Sequence, residues 1–365
     1  MRKIALATMA VAAATTLILS GCSNSARTEA GSGDASAGFE QGSIVGVALP
    51  AKTSENWVLA GDLFNEDLEA AGFEPDVQYA AASGTVANQQ EQIQSMVTKG
   101  AKVIVIGAAD GGQLGTQVKA AHDAGAIVIA YDRLILNTED VDYYVAYDNY
   151  KVGELQGQAL LDGMKAKKAD GPYNIELFSG SSDDANSAVF FDGAMSVLQP
   201  AIDDGTVVVG SDQTDIKQTA TDGWKAENAQ RRMDSLLTST YTDTELDGVL
   251  SPNDTLARAI ITSVKQAGKD VPVVTGQDSE VESVKSIMAD EQYSTINNDT
   301  RNLVKQAVAM VTSVSEGDTA ETNDDESYDN GSKVVPAYLL PPQIVTKENA
   351  AEAYANDPTL GPLTK

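Results

Sequence analysis

The feature that most constrains this chain is an alternation. Short runs of β-branched apolar residues are followed, repeatedly, by longer stretches whose apolar residues recur at helical spacing. Ile44–Leu49, Val77–Ala80, Val103–Ile106 and Ile127–Ala130 are runs of the first kind, with helical stretches after each of the first three. Runs that are apolar throughout read as strands covered on both faces, as in a parallel sheet with right-handed crossovers. After an extended run at 141–147 the pattern restarts with a helix at 150–164. Strands are then expected at 174–178, 207–209, 248–250, 271–274 and 294–296, each followed by a helix, and one more extended run spans 334–339. Two consecutive arrays of this kind predict an α/β protein of two Rossmann-like lobes, each built on a parallel sheet, with a cleft between them. At 365 residues the chain is long enough for both.

The N-terminus carries a different signal. Arg2 and Lys3 precede an apolar, small-residue segment from Ile4 to Leu19, too short to span a bilayer comfortably, and Leu19-Ser20-Gly21-Cys22 follows. This looks like a bacterial lipobox, so residues 1–21 are expected to be a lipoprotein signal peptide and Cys22 the lipidated residue. Acyl chains on Cys22 would hold the protein on the outer face of the cell membrane. Residues 22–42 are rich in Ser, Gly and Ala and read as a flexible tether.

Charge removes several function classes. The chain has 25 Lys and Arg against 53 Asp and Glu, a net charge of −28, which argues against nucleic acid as a partner. With one Cys and one His, an internal disulfide is impossible and no metal site or cofactor is expected. Asp212, Asp215 and the acidic 318–329 run do not match a calcium loop and read as solvated. His122 lies mid-helix, no G-x-S-x-G elbow or Walker loop is present, and the Gly-rich 107–115 segment lacks dinucleotide-binding spacing. Asp132 and Asp278 are the one carboxylate pair a glycosidase could use. The chain is read as a non-enzyme.

In open α/β sheets, ligands bind beyond the carboxyl ends of the strands. Here those ends finish in polar and aromatic residues. Lys52, Glu55 and Trp57 follow the first strand, and Asp132 and Arg133 the fourth. Asp148 and Asn149 stand where the chain should cross between lobes. Asn186 and Phe190 follow the first strand of the second lobe, Trp224 opens a helix, and Asn253, Asp278 and Asn298 follow later strands. Carboxylates, amides and a guanidinium suit hydroxyl groups, and indole faces suit the C–H face of a sugar ring. Each residue alone also has a plain structural use, as a cap, a turn former or helix-surface packing. Their shared position is what points to a site.

Six segments carry a family resemblance. They are Lys-Thr-Ser-Glu-Asn-Trp at 52–57, Tyr-Asp-Arg-Leu-Ile at 131–135, Tyr-Asp-Asn at 147–149, Asp-Ala-Asn-Ser-Ala-Val-Phe-Phe-Asp-Gly-Ala at 184–194, Ser-Pro-Asn-Asp at 251–254 and Thr-Gly-Gln-Asp at 275–278. From about Ser43 onward the chain resembles monosaccharide-binding proteins of bacterial ABC importers, of the xylose- and multiple-sugar-binding group. The resemblance implies the periplasmic-binding-protein type I fold, sugar contacts at Asp132, Arg133, Asn253 and Asp278, and ring-stacking by Trp57, Phe190 or Trp224. At Asn298, xylose- and multiple-sugar-like members tend to carry Lys and a galactose- or glucose-like site Asn. The sugar class therefore stays open among xylose, glucose, galactose and arabinose types. The resemblance also implies a three-strand hinge, with crossings expected near 146–148, 298–300 and 330–335. That divides the chain into a first lobe of 43–147 plus 299–330 and a second of 148–298 plus 331–365. The implied partners are an ABC permease with its ATPase, reached by a monomer; the alternative is a binding protein that loads a chemoreceptor or sensor kinase.

Overall fold

The computed structural model describes residues 38–52 and 54–365. Cys22, the expected signal peptide and the expected tether up to residue 37 lie outside the described residues. The last five tether residues do not: Phe39 N donates to Ser315 O at 2.9 Å and its ring lies 5.9 Å from that of Phe73. An aromatic with an apolar neighbour to cover it packs, whatever the composition around it, so the first lobe begins earlier than expected.

The first array runs β1 (Ile44–Leu49), α1 (Glu55–Ala70), β2 (Glu74–Tyr79), α2 (Thr85–Lys99), β3 (Val103–Ile106), α3 (Gly115–Asp123), β4 (Ile127–Tyr131) and β5 (Tyr143–Tyr147). The second runs α4 (Asn149–Lys167), β6 (Tyr173–Leu177), α5 (Ala185–Asp203), β7 (Val207–Val209), α6 (Ile216–Thr219), α7 (Ala226–Ser239), β8 (Gly248–Leu250), α8 (Asp254–Gln266), β9 (Val273–Val274), α9 (Val281–Met288) and β10 (Ser294–Asn297). Then come α10 (Thr300–Ser315), β11 (Ala337–Leu340), β12 (Gln343–Thr346) and α11 (Ala350–Ala353).

The first lobe holds a six-stranded parallel sheet in the order β11-β5-β4-β3-β1-β2. Its central strands are buried on both faces, as their unbroken apolar runs require, with one core cluster on each side. The second lobe holds a four-stranded parallel sheet, β7-β6-β8-β9. Backbone hydrogen bonds from Tyr293 N to Val274 O and from Ile296 N to Gly276 O carry that sheet on to β10, which pairs antiparallel with β12. Helices α4 and α5 pack backbone against backbone, because Gly153 has no side chain: a Cβ there would sit 2.0 Å from Phe190 O.

The chain passes between lobes at three places. β5 runs into α4 at residues 147–149, and β10 into α10 at 298–300. The third passage differs. It was expected near 330–335, but β11 pairs in parallel with β5 inside the first-lobe sheet, and the chain leaves only between Leu340 and Gln343. An apolar run reads as a strand in either lobe; which sheet edge is free to accept it is a tertiary matter. The three passages are tied together, Tyr147 Oη donating to Asp299 O at 3.0 Å and Asp148 N to Leu340 O at 3.0 Å. The acidic 317–332 excursion is held to the first lobe at several points: Asp324 bridges to Ala337, Asn330 Nδ2 donates to Ile135 O and Thr138 O, and Tyr328 packs against Tyr144 with ring centroids 5.0 Å apart.

Candidate functional site

Beyond the carboxyl ends of both parallel sheets lies a cavity of about 430 Å³. Asn56, Trp57, Asp132 and Arg133 wall it from the first lobe. Asp183, Asp184, Asn186, Phe190, Trp224, Asn253, Thr255, Gln277 and Asp278 wall it from the second. Asn56, Trp57, Asp132 and Asp278 are shared with a small chamber of about 10 Å³ floored by Tyr131, Tyr147, Asn298 and Thr300.

Three wall residues other than glycine have left-handed backbones: Asp132 with φ 63°, Trp224 with φ 54° and Asp278 with φ 95°. Such conformations cost roughly 1–3 kcal/mol each and persist only where the surroundings enforce them. The surroundings of Asp132 are visible. Its main-chain N donates to Val145 O at 2.8 Å, and its carbonyl accepts from Tyr144 Oη and from Asn186 Nδ2, both at 2.8 Å. The backbone is thus held from both lobes, and the carboxylate is left for the cavity.

Arg133 lies along the neighbouring wall. Its Nε is 2.9 Å from Asp184 Oδ2, Nη1 donates to Ala108 O, and the guanidinium carbon stands 5.4 Å from the centre of the Trp57 ring. Asp184 Oδ2 also accepts from Trp224 Nε1 at 3.1 Å, while its Oδ1 caps α5 at Asn186 N. One second-lobe carboxylate therefore fixes the first-lobe arginine, the second-lobe indole and the start of α5. Asn149, buried in the hinge, donates through Nδ2 to Asn186 Oδ1 at 3.0 Å and so ties the cavity wall to the first crossing.

The acids raise the negative potential of the cavity. Burial is the largest cause pushing the Asp132 carboxyl up to about 6; Arg133 opposes it and Asp184 adds to it. Burial likewise raises Asp278 well above the carboxylate range, with Glu280, Asp254 and Asp132 adding to the effect. Behind it Asp254, pushed up to about 7 chiefly by burial, accepts from Glu280 N, Gln292 Nε2 and Thr295 Oγ1. Two buried acceptors at the site have no protein partner among the described residues, Gln277 Oε1 and Asn298 Oδ1. Buried polar atoms are normally paired, so both acceptors remain available to a hydrogen-bond donor from outside the protein.

Of the thirteen expected site residues, Trp57, Asp132, Arg133, Asn186, Phe190, Trp224, Asn253 and Asp278 wall the main cavity, and Asn298 lies in the chamber beside it. Asn253 does double duty: its Oδ1 caps α8 at Leu256 N, 3.0 Å away. The other four are elsewhere. Lys52 Nζ sits over the Tyr79 ring at 4.2 Å, Glu55 reaches across to Val281 N, Asp148 caps α4 at Lys151 N, and Asn149 is the hinge bridge. Adjacent loop residues point in different directions, which spacing along the sequence does not reveal. Asn56, Gln277 and Thr255 were missed, although each adjoins or lies within two residues of one that was chosen. Asp184, which opens the 184–194 segment, stands at the same strand end as Asn186 and also walls the cavity.

The arrangement has comparisons among known proteins. Residues 45–319 match the family model described as periplasmic binding protein domain. The chain is 51% identical over 310 residues to the multiple sugar-binding periplasmic receptor ChvE of Rhizobium radiobacter, covering 84% of this chain and 87% of that one. It is 34% identical over 314 residues to the D-xylose-binding periplasmic protein of Escherichia coli K12, covering 86% and 89%. Among solved structures, an ABC transporter solute-binding protein from Clostridium phytofermentans with bound β-D-glucose superposes with a TM-score of 0.84 at 39% identity, over 88% of this chain and 100% of that one. With the family model matching most of the chain and the six-plus-four parallel sheets in place around one cleft, this protein belongs to the periplasmic binding protein domain family of sugar solute-binding proteins.

Proposed function

We propose that the protein captures a monosaccharide in the interlobe cavity, outside the cytoplasm, and delivers it to an ABC importer. The observation that carries this reading is the composition of the wall. Carboxylates, amides and one guanidinium come from both lobes, with Trp57, Phe190 and Trp224 among them. Charged acceptors and a fixed fork of donors hold hydroxyls, and aromatic faces cover C–H faces. The cavity of about 430 Å³ lies in the usual range for small-ligand sites, roughly 300–1,000 Å³. In this reading Asp132, Arg133, Asn253 and Asp278 hold ring hydroxyls, and Gln277 Oε1 and Asn298 Oδ1 take up hydroxyl donors that the protein itself does not supply.

Affinity follows from enclosure. A monosaccharide has about 12 heavy atoms, so micromolar binding asks for roughly 0.7 kcal/mol per atom, below the ceiling for very small ligands. That requires donors and acceptors on nearly every side, which one lobe alone does not provide. Closure of the two lobes over the sugar is then the state the permease reads. Cys22 carries the lipid that keeps the protein at the membrane. The 51% identical relative is a periplasmic receptor, which favours a second reading in which the loaded form also engages a sensory partner.

The test is calorimetric titration of the protein with glucose, galactose, xylose and arabinose. Micromolar or tighter binding of at least one, weakened about ten- to a hundredfold by Asp132→Ala, is expected from loss of a charge-assisted hydrogen bond. No binding across the panel defeats the reading.

A further inference from the structure

Glu55 opens α1 between two residues that face the cavity, Ser54 and Asn56, yet it is not part of the cavity wall. Its carboxylate crosses to the other lobe, where Oε2 accepts from Val281 N at 3.1 Å. Val281 is the first residue of α9.

The start of α9 needs such a partner. The first backbone N–H groups of a helix have no acceptor within it, and the helix end attracts negative charge. The residue in the capping position is Glu280, but its side chain makes no capping bond. That carboxylate is engaged elsewhere: Arg258 Nη2 lies 2.5 Å from Oε2, and Thr255 Oγ1 donates to it at 2.9 Å. With the local carboxylate occupied, the cap comes from the opposite lobe. The turn it caps is the one that carries Asp278 into the site, Asp278 and its neighbour Ser279 both having positive φ.

We propose that Glu55 is a cross-cleft cap, a positioning residue that stabilises the closed form and steadies the Asp278 turn without touching the ligand. Separation of the lobes breaks the bond and leaves Val281 N to water, so the cap strengthens closure on any sugar by the same amount. The proposal rests on the sugar-binding reading above. Removing a helix cap costs enough to weaken binding about two- to thirtyfold.

The test titrates wild type, Glu55→Ala and Glu55→Gln with glucose, galactose, xylose and arabinose, and records dissociation rates by stopped flow. In Glu55→Ala, every bound sugar should weaken by one common factor, through faster dissociation. Glu55→Gln, which keeps an acceptor and loses the charge, should fall between. Factors that differ from sugar to sugar would make Glu55 a ligand contact and overturn the cap; unchanged affinity in Glu55→Ala would overturn it too. Wild type that binds none of the four sinks the functional reading, and the cap falls with it, so the two failures are told apart by the wild-type titration alone.

Discussion

Arg133 and Asp184 stand on opposite lobes, and their side chains meet at 2.9 Å with only 15% and 3% of their surfaces exposed. Removing one member of so buried a pair leaves the other charge without its partner, at a cost of about 3–5 kcal/mol. Because the pair forms across the cleft, part of that cost falls on closure. Arg133→Ala and Asp184→Ala should each weaken sugar binding strongly, and the double variant should be no worse than the poorer single one. A double-mutant cycle on affinity is expected to return a coupling of about 1–3 kcal/mol; additive losses would mean that the two residues act separately.

Asp132 predicts a pH effect on stability. Burial raises its carboxyl to about 6 in the folded protein, against an ordinary value near 4 in an unfolded chain. The ionised form is therefore worse off folded than unfolded. The penalty, on the order of 2–3 kcal/mol, is complete above pH about 6 and fades as pH falls from there toward 4. Asp132→Asn removes the charge and keeps a residue type that tolerates the left-handed backbone. Ligand-free Asp132→Asn should melt a few degrees above wild type at pH 7.5, with the gap closing by pH 4, while its sugar affinity drops. A gap that is constant across that range would assign the effect to something other than this carboxyl.

Both tryptophans wall the cavity, one from each lobe, and Trp224 is bonded to Asp184 while Trp57 lies edge-on to Tyr131 at 6.2 Å. Saturating sugar should change the emission of single-tryptophan variants that retain either Trp57 or Trp224. Small-angle scattering should show a smaller radius of gyration with sugar than without. A fixed radius at saturation would remove closure from the mechanism.

Cys22→Ala should release the protein from the membrane fraction and leave sugar affinity unchanged. Persistence in the membrane fraction would place the anchor elsewhere.

The alternation of strand and helix was legible because it is local: Val103–Ile106 is apolar at every position and can only be buried on both sides. The carboxyl-end rule then located Asp132, Arg133, Asn253 and Asp278, since chain direction and strand length place a strand's last residues without any knowledge of its neighbours. Tertiary structure decided where side chains of that same layer point. Lys52, Glu55 and Trp57 follow one strand within six residues, yet one lies over a tyrosine, one crosses to a helix of the other lobe and one enters the cavity. It also decided that β11 completes the first sheet instead of the second. Hydrophobic periodicity states that a segment is to be buried; the partner that buries it, and the acceptor that an exposed turn finds across a cleft, are set only when residues distant in sequence compete for the same place.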